Sequence, residues 1–501
     1  MDSTYSSIPK STFLESQSDN HSQNPNPRSP PKTHVKLLPL HEEEGGGFLP
    51  SSKNAGDNDD DDGDIDLDLA FDNYPLIDDE AGSKTGSRIS GAVFNLATSI
   101  IGAGIMALPA AMKVLGLVLG FVMIILMGVL TEISVELWVR FSVLCKASSY
   151  GEVVQHALGR PARVLSEICI IVNNTGVLVV YLIIMGDVMS GSVHHVGVFD
   201  QWLGKGVWDQ RMLVIMVVLV VFLAPLCFLQ RIESLSLTSA ASVALAVLFV
   251  VVACVIASIK LVEERIETPR LGPDFGSKKA ILDLLVVIPI MMNAYVCHFS
   301  VQPIYNELEG RSPQKMNLVG RITTLVCVVV YALTAISGYL LFGEGTESDV
   351  LTNFDKDLGI RFSSALNYII RVGYILHLVL VFPVVHFSLR QAVDALVFPG
   401  SAPLIESRKR SLVLTAVLLL LIYFGSTMIP NIWTVFKFTG ATTAVSLGFI
   451  FPPLVALRLS QLGGGLSFSK KFLSWLMLIL AIVVGVVGVL GNVYSIESQS
   501  K

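Results

Sequence analysis

The sequence predicts an all-α protein that crosses a membrane many times. The 501-residue chain is 52% hydrophobic and only 15% charged, whereas soluble domains carry about 25% charged residues. From Arg88 onward the apolar residues fall into eleven spans, each close to the roughly 20 residues that cross a hydrocarbon core. Glycine, proline or polar residues interrupt the first and sixth spans. We therefore expect a polytopic bundle of eleven transmembrane helices in which helices 1 and 6 are broken.

Three regions differ in composition. Residues 1–87 are polar and include the acidic run Asp57–Asp64, which cannot bury a core, so this N-terminal tail is predicted to be disordered. Residues 88–494 form the predicted membrane domain, and residues 495–501 form a short C-terminal tail. The expected spans are 89–112, 116–139, 164–187, 211–229, 236–260, 281–301, 318–342, 363–387, 411–429, 434–457 and 472–494.

The distribution of basic residues predicts the orientation of the bundle. Lys and Arg in short loops mark the cytosolic ends of membrane helices. With a cytosolic N-terminus, Arg88, Arg140, Arg311 and Arg390 all lie on the cytosolic side, and the acidic loop 344–357 lies on the other. We therefore expect the N-terminus in the cytosol and the C-terminus outside or in a lumen.

Several kinds of site are missing from the sequence. The six cysteines form no Cys-X-X-Cys pair, which argues against a disulfide framework or a metal site. No Gly-rich phosphate loop is found and the net charge is −6, so neither a nucleotide-driven pump nor a nucleic-acid partner is expected. No catalytic triad is found. The chain is therefore predicted to be no enzyme and to need no cofactor.

The first span contains the apolar segment Gly91–Pro109, which includes the sequence Gly102-Ala103-Gly104. Glycine and proline both weaken a helix interior. Irregular backbone at membrane depth survives only where it is buried in protein or lines a cavity. The segment therefore indicates either the binding site of a secondary transporter or a glycine-faced packing seam between helices.

The sixth span has the same character. Pro289 and Pro303 flank a polar centre, Asn293-Ala294-Tyr295. Interrupted segments at positions one and six are typical of a 5+5 inverted repeat with a binding site near the bilayer midplane. The two segments together favour a secondary transporter that carries an additional eleventh helix.

Three motifs resemble those of the amino acid/auxin permease family, within the amino acid-polyamine-organocation superfamily. They are Phe94-Asn95 with Ile101 to Pro109 in the first span, Cys297 to Leu308 in the sixth, and Val435 to Thr442 with Phe451-Pro452 in the tenth. The chain is similar to sodium-coupled neutral amino acid transporters and, with Ser149 to Glu152, most similar to the plant vacuolar branch. The resemblance covers about residues 88–494 and implies a LeuT-like fold with the substrate between helices 1 and 6.

An amino acid is the substrate that the resemblance implies. Free backbone amides at Gly102–Gly104 would bind its carboxylate at the positive end of the following half-helix. Unpaired carbonyls at Asn293–Tyr295 would accept hydrogen bonds from its ammonium. The predicted substrate-binding residues are Thr98, Ser99, Gly102, Ala103, Gly104, Asn293, Ala294 and Tyr295.

The coupling ion is predicted from a departure from the family pattern. Sodium-coupled members have an asparagine where Thr98 stands and offer hydroxyls on helix 8, whereas residues 372–387 contain no Ser or Thr. Since a hard cation needs oxygen ligands, we expect proton rather than sodium coupling. The residues with a predicted pocket or proton-coupling role are Asn173, Asn174, Asp187, His298, Tyr374 and His377. The structural alternatives are buried hydrogen-bonded histidines, a solvated or capping aspartate, and asparagines that tie helices together.

We therefore predict a secondary active transporter of amino acids that is coupled to protons and works by alternating access. Neutral substrates are favoured because the basic residues nearest the spans, Arg371 and Lys437, are expected to be interfacial. A vacuolar or other endomembrane location is favoured over the plasma membrane, and Tyr74–Ile77 resembles a signal for a trafficking adaptor. The alternatives are a sodium-coupled plasma-membrane importer and an amino-acid-sensing transceptor that signals through its tail.

Overall fold

The computed structural model describes residues 87–191, 195–228, 236–429 and 432–500, and within them it is helical with no β-strand. The motif Tyr74–Ile77 and nearly all of the predicted tail lie outside the described residues. The helices are α1 (Ile89–Ile100), α2 (Gly104–Leu115), α3 (Leu117–Leu144), α4 (Tyr150–Leu158), α5 (Arg160–Ser190), α6 (Val198–Leu203), α7 (Arg211–Cys227), α8 (Ser236–Val262), α9 (Lys278–Tyr295), α10 (His298–Asn306), α11 (Pro313–Phe342), α12 (Ser363–Val397), α13 (Arg408–Met428), α14 (Ile432–Gly463) and α15 (Phe468–Ser500).

The described helices give nine spans by length and apolar composition, with α9 and α10 counted together. Helices α1 and α2 make a tenth span that is bent by 54°. Helix α7 is apolar but too short to pass the same test. The expected number of eleven is therefore reached only when α7 is counted as a span, and α15 continues beyond the predicted end at residue 494.

The first interruption follows directly from the backbone at Ile101, which is extended with φ −76° and ψ 93°. The N–H of Ile101 still donates to Ala97, over 2.7 Å. In the described part of the chain, the N–H groups of the next three residues, 102–104, donate to no backbone carbonyl. The second interruption has the same cause, because Val296 is extended between α9 and α10 with φ −72° and ψ 113°.

Helix α14 departs from α-helical geometry before the pair Pro452-Pro453, with π-helical turns at Gly440–Ala444 and Ser446–Ile450. Proline has no N–H to donate to the preceding turn, so carbonyls of that turn accept from side chains of other helices. The Leu447 carbonyl accepts from the Tyr150 hydroxyl at 2.8 Å, and the Gly448 carbonyl accepts from the Ser134 hydroxyl at 2.5 Å. These bonds tie α14 to α3 and α4.

The start of the described chain is attached to the end of α10. The N–H of Ser87 donates to the carbonyl of Glu307 over 2.8 Å, and the N–H of Glu309 donates to the carbonyl of Ser87 over 3.0 Å. The two bonds form a parallel bridge between Ser87 and Leu308. The chain that enters α1 and the chain that leaves α10 are therefore held side by side.

Candidate functional site

A cavity lies where the two interruptions approach each other. Its volume is about 20 Å³, which is room for about one water molecule. An amino acid can therefore enter only after the surrounding helices separate. The lining residues come from both interruptions and from the helices around them, and they are Ser99, Ile100, Gly102, Ala103, Gly104, Asn173, Val177, Tyr181, Asn293, Ala294, Val296, Phe299, Val385 and Phe436.

Half of these lining residues belong to the sequence-predicted site. They are Ser99, Gly102, Ala103, Gly104, Asn173, Asn293 and Ala294. The other predicted residues lie behind this lining or away from the cavity, and they are Thr98, Asn174, Asp187, Tyr295, His298, Tyr374 and His377.

Two glycines of the first interruption allow close approach of other groups. A Cβ added to Gly104 would lie 3.0 Å from the Cα of Ala294, so the two interruptions meet at this point. A Cβ added to Gly102 would lie 2.0 Å from the hydroxyl oxygen of Tyr181. That hydroxyl also contacts the backbone of Ala103. Both positions therefore need glycine for the geometry of the site.

Tyr181 and Val177 are cavity residues that the sequence analysis missed. Both lie on α5, and with Asn173 they form a row at spacings of four residues. Residues at that spacing share one face of a helix, so extending the predicted Asn173 along its helix face would have found them. The row brings the Tyr181 hydroxyl to the first interruption.

The carbonyls of the interruptions differ from the unpaired groups that were expected. The Tyr331 hydroxyl lies 2.5 Å from the Ile100 carbonyl oxygen and 2.7 Å from that of Ala294. Its single hydrogen can serve one of them at a time. The Asn293 carbonyl accepts from the N–H of Val296 over 3.3 Å. Each carbonyl still has a second lone pair with which it can accept from an ammonium.

Tyr295 was predicted to offer its backbone carbonyl to the substrate, and its side chain is directed away from the cavity. Its hydroxyl donates to the carbonyl of Ile124 in α3 over 3.0 Å, and its ring packs edge-on against Tyr331 with centres 4.9 Å apart. Its side chain therefore fixes the second interruption to α3.

A polar network lies directly behind the first interruption and joins α1, α8 and α12. The Thr98 hydroxyl is 3.0 Å from the Ser242 hydroxyl and 3.2 Å from the Ser239 carbonyl. The Nδ1 atom of His377 is 2.7 Å from the Ser242 carbonyl. Since a carbonyl can only accept, Nδ1 carries a hydrogen, and Nε2 is the nitrogen that gains or loses the titrating proton.

Tyr374 connects this polar network to the first interruption. Its hydroxyl donates to the Gly102 carbonyl over 2.8 Å. Its ring centre lies 4.8 Å from that of His377, one turn further along α12. Tyr374 and His377 therefore lie on one face of α12, which is directed at the first interruption.

His298 has a different position. Its Nε2 lies 2.9 Å from the Ser134 hydroxyl, which itself donates to the Gly448 carbonyl. The Ser134 oxygen must therefore accept from Nε2–H of the imidazole. His298 ties α10 to α3 and α14, as the structural alternative for this residue expects. A further buried histidine, His386 of α12, was not predicted and stacks on Phe382 with ring centres 6.4 Å apart.

Charged side chains are kept away from the lining of the cavity in the described part of the chain. Asp187 forms an ion pair with Arg211 at 2.6 Å near the end of α5. Arg371, expected at an interface, is 1% exposed and donates to the carbonyls of Val188 and Val196.

Asp349 lies outside the spans, and its burial raises the pKa of its carboxyl to about 7.

Solved structures share the fold of this chain at low sequence identity. The manganese transporter of Eremococcus coleocola, solved with an aromatic bis-isothiourea substituted compound, matches with a TM-score of 0.56 at 12% identity, over 81% of this chain and 86% of that one. A mutant of the same transporter matches with a TM-score of 0.54 over 82% and 86%. At this identity the likeness concerns the fold alone.

Relatives in sequence are much closer. The chain is 69% identical to amino acid transporter AVT6E of Arabidopsis thaliana over 500 residues, covering 100% of both chains. It is 43% identical to AVT6B of the same plant over 86% of this chain and 96% of the relative, and 44% identical to AVT6A over 83% and 90%. Residues 85–496 match the family model described as transmembrane amino acid transporter protein. The chain therefore belongs to the transmembrane amino acid transporter family.

Proposed function

We propose that this amino acid transporter holds its substrate in the cavity between the two interruptions, within a LeuT-like 5+5 inverted repeat of eleven spans. The close approach of Gly104 to Ala294 is the observation on which the proposal rests. It brings amides that donate to no backbone carbonyl close to the irregular carbonyls of the second interruption. Amides at the positive end of α2 would bind the carboxylate. Carbonyls of the second interruption would accept from the ammonium. The family is one of transporters, not enzymes.

Alternating access follows from the small cavity in this proposal. About 20 Å³ is too little for an amino acid, so the substrate must enter a more open conformer. Helices α1, α2, α9 and α10 would rock against a scaffold that includes α5 and α12. The break residues then act as the points where each pair bends.

The proposed coupling ion is a proton carried by His377. The Gly102 carbonyl, an oxygen that a cation at the break would need, already accepts from Tyr374. The nearby His377 has Nδ1 bonded to the Ser242 carbonyl, so a proton would be taken up at Nε2. Protonation there would place a positive charge beside the break without any sodium ion. A sodium-coupled plasma-membrane importer is the alternative.

Neutral amino acids are the proposed substrates, since no charged side chain lines the cavity in the described part of the chain. We further propose a vacuolar or other endomembrane location with a cytosolic N-terminus. The resemblance around Ser149–Glu152 and the distribution of Lys and Arg support this part of the proposal.

The test is uptake of labelled amino acids into proteoliposomes that contain the purified full-length chain, with a pH gradient or a sodium gradient imposed separately. Uptake driven by the pH gradient alone is the expected result. A strict requirement for sodium would reject His377 as the carrier and establish the alternative. Liposomes without protein are the control.

A transceptor is the second alternative, because an 86-residue segment precedes the described chain. A sensor that acts through this segment should depend on it, whereas a transporter should not. We expect deletion of residues 1–80 to leave uptake per molecule nearly unchanged. A well-folded truncated protein without uptake would make the segment part of the mechanism.

A further inference from the structure

The wall of the cavity next to α14 is polar. Asn293 of α9 and Asn173 of α5 line the cavity, and each contacts a threonine of α14. The Nδ2 atom of Asn293 lies 3.3 Å from Oγ1 of Thr439. The Oγ1 atom of Thr443 lies 3.4 Å from Oδ1 of Asn173. The two amides are therefore held from behind by α14.

Thr439 determines which way the Asn293 amide is turned. The Thr439 hydroxyl donates its single hydrogen to the Val435 carbonyl, 2.8 Å away. Its oxygen can then only accept a hydrogen bond from Asn293. The NH2 group of Asn293 must face Thr439, and the Oδ1 atom is left at the opposite corner of the amide.

This Oδ1 atom of Asn293 is buried and has no hydrogen-bond partner among the described residues. The whole residue is only 8% exposed. Buried acceptors are nearly always paired, so the position suits a ligand that supplies an N–H or O–H. Asn173 adds a donor, because its Nδ2 gives one N–H to Asn174 over 3.3 Å and has a second.

We infer that the Asn293–Thr439 pair selects amino acids whose side chain donates a hydrogen bond, with carboxamides favoured and hydroxyls accepted. The inference rests on the proposed function of the cavity. A carboxamide would donate through its NH2 group to Oδ1 of Asn293 and accept through its carbonyl from Asn173. Asn293 is thus a specificity residue, and Thr439 is a positioning residue that acts through it.

Other side chains fit this wall poorly. A carboxylate would bring oxygen against the Oδ1 atom of Asn293, and no cation lines the cavity in the described part of the chain to offset its charge. An aliphatic side chain would leave the Oδ1 atom of Asn293 unpaired and would offer no acceptor to Asn173. A site built to hydrogen-bond its substrate discriminates strongly against analogues that lack the matching group.

The test measures counterflow exchange of labelled glutamine, asparagine, serine, glutamate and leucine at equal concentrations, in proteoliposomes with the full-length protein. We expect the three donors to exceed glutamate and leucine by about tenfold or more. Counterflow needs no driving ion, so the result does not depend on the coupling proposal.

Three variants of α14 test the role of Thr439. Thr439→Val keeps the shape but removes the acceptor, and should reduce the glutamine-to-leucine ratio by about tenfold. Thr439→Ser keeps the hydroxyl and should retain the ratio. Thr442→Val is the matched control, since Thr442 is exposed on the same helix and its hydroxyl donates to the Phe438 carbonyl. The ratio is insensitive to how much protein folds.

The outcomes separate the two proposals. Faster exchange of glutamate or leucine than of glutamine by the unmodified protein, or an unchanged ratio in Thr439→Val, would overturn the selectivity inference while the transporter proposal stands. Exchange of none of the five amino acids would instead contradict the proposed use of the cavity.

Discussion

The hydroxyl of Tyr374 lies 2.8 Å from the carbonyl oxygen of Gly102 and donates a hydrogen bond to it across the first helix break. One turn further along α12, the ring of His377 lies 4.8 Å from that of Tyr374. Tyr374 therefore contacts the backbone that bends during the proposed transport cycle, and His377 packs beside Tyr374. Their removal should affect uptake in two different ways.

Tyr374→Phe removes one of two donors to the buried Gly102 carbonyl, which also accepts from the N–H of Ile105 over 3.2 Å. Loss of one such hydrogen bond costs about 0.5–1.5 kcal/mol, which destabilises the described conformer relative to the others. We expect initial rates of pH-driven uptake to fall by about two- to tenfold, since about 1.4 kcal/mol corresponds to a factor of ten. Tyr368→Phe, on the same helix, is the control. Equal rates for both variants would show that the bond has no role in transport.

His377→Gln should separate exchange from accumulation. A glutamine N–H can still donate to the Ser242 carbonyl, but the amide has no group that can take up or release a proton. We expect counterflow exchange to persist and concentrative uptake under a pH gradient to be lost. His156→Gln, at an exposed position of α4, is the control. A His377→Gln protein that still concentrates its substrate with the pH gradient would identify another carrier.

Gly102→Val should abolish substrate binding without preventing membrane insertion, because any Cβ there would lie 2.0 Å from the Tyr181 hydroxyl oxygen.

The smaller Gly102→Ala allows a rescue experiment. Tyr181→Phe removes that oxygen, and the nearest remaining ring atom is 3.0 Å from the added Cβ. The double variant should therefore regain part of the uptake lost by Gly102→Ala. Gly373→Ala, where nothing lies within 4 Å, is the control.

The stability of the fold should depend on pH through Asp349. Burial raises the pKa of its carboxyl to about 7 in the folded protein, whereas the pKa of an unfolded aspartate is about 3.9. Between these values the folded state binds the extra proton, so the free energy of unfolding falls as pH rises from about 4 to about 7. At lower pH both states are protonated, and above about 7 the loss is complete.

Asp349→Asn tests this dependence. An asparagine oxygen can keep the bond from the Leu351 N–H, which is 3.0 Å from Oδ1 of Asp349. We expect the melting temperature in detergent to drop between pH 5 and pH 8 for the unmodified protein, and to drop less for the variant. Parallel pH profiles of the two proteins would rule out Asp349 as the source.

The residues at the two interruptions could be predicted because irregular backbone at membrane depth is marked by glycine, proline or polar residues within an apolar span. Gly102, Gly104 and Asn293 stand out against apolar surroundings, and the structure brings all three to one cavity. Tyr181 could have been found only through its position on the helix face of Asn173. Thr439 lies within the tenth-span motif, but nothing in the sequence shows that its hydroxyl contacts Asn293. Their roles arise from contacts between helices far apart in the chain.

The direction of a side chain was equally hard to predict. Tyr295 lies in the predicted polar centre, yet its hydroxyl reaches the Ile124 carbonyl of α3. His298 and His377 look alike in the sequence, but one is bonded to a hydroxyl of α3 and the other to a carbonyl of α8. These differences depend on where the preceding backbone turns.

The backbone bridge between Ser87 and Leu308 makes the entrance to α1 a natural reporter of movement. Ser87 is 7% exposed while it is paired with the end of α10. A thiol introduced there by Ser87→Cys would be shielded from water-soluble maleimides as long as the two segments stay together. Its labelling rate would therefore measure, in real time, how often the start of α1 separates from the end of α10.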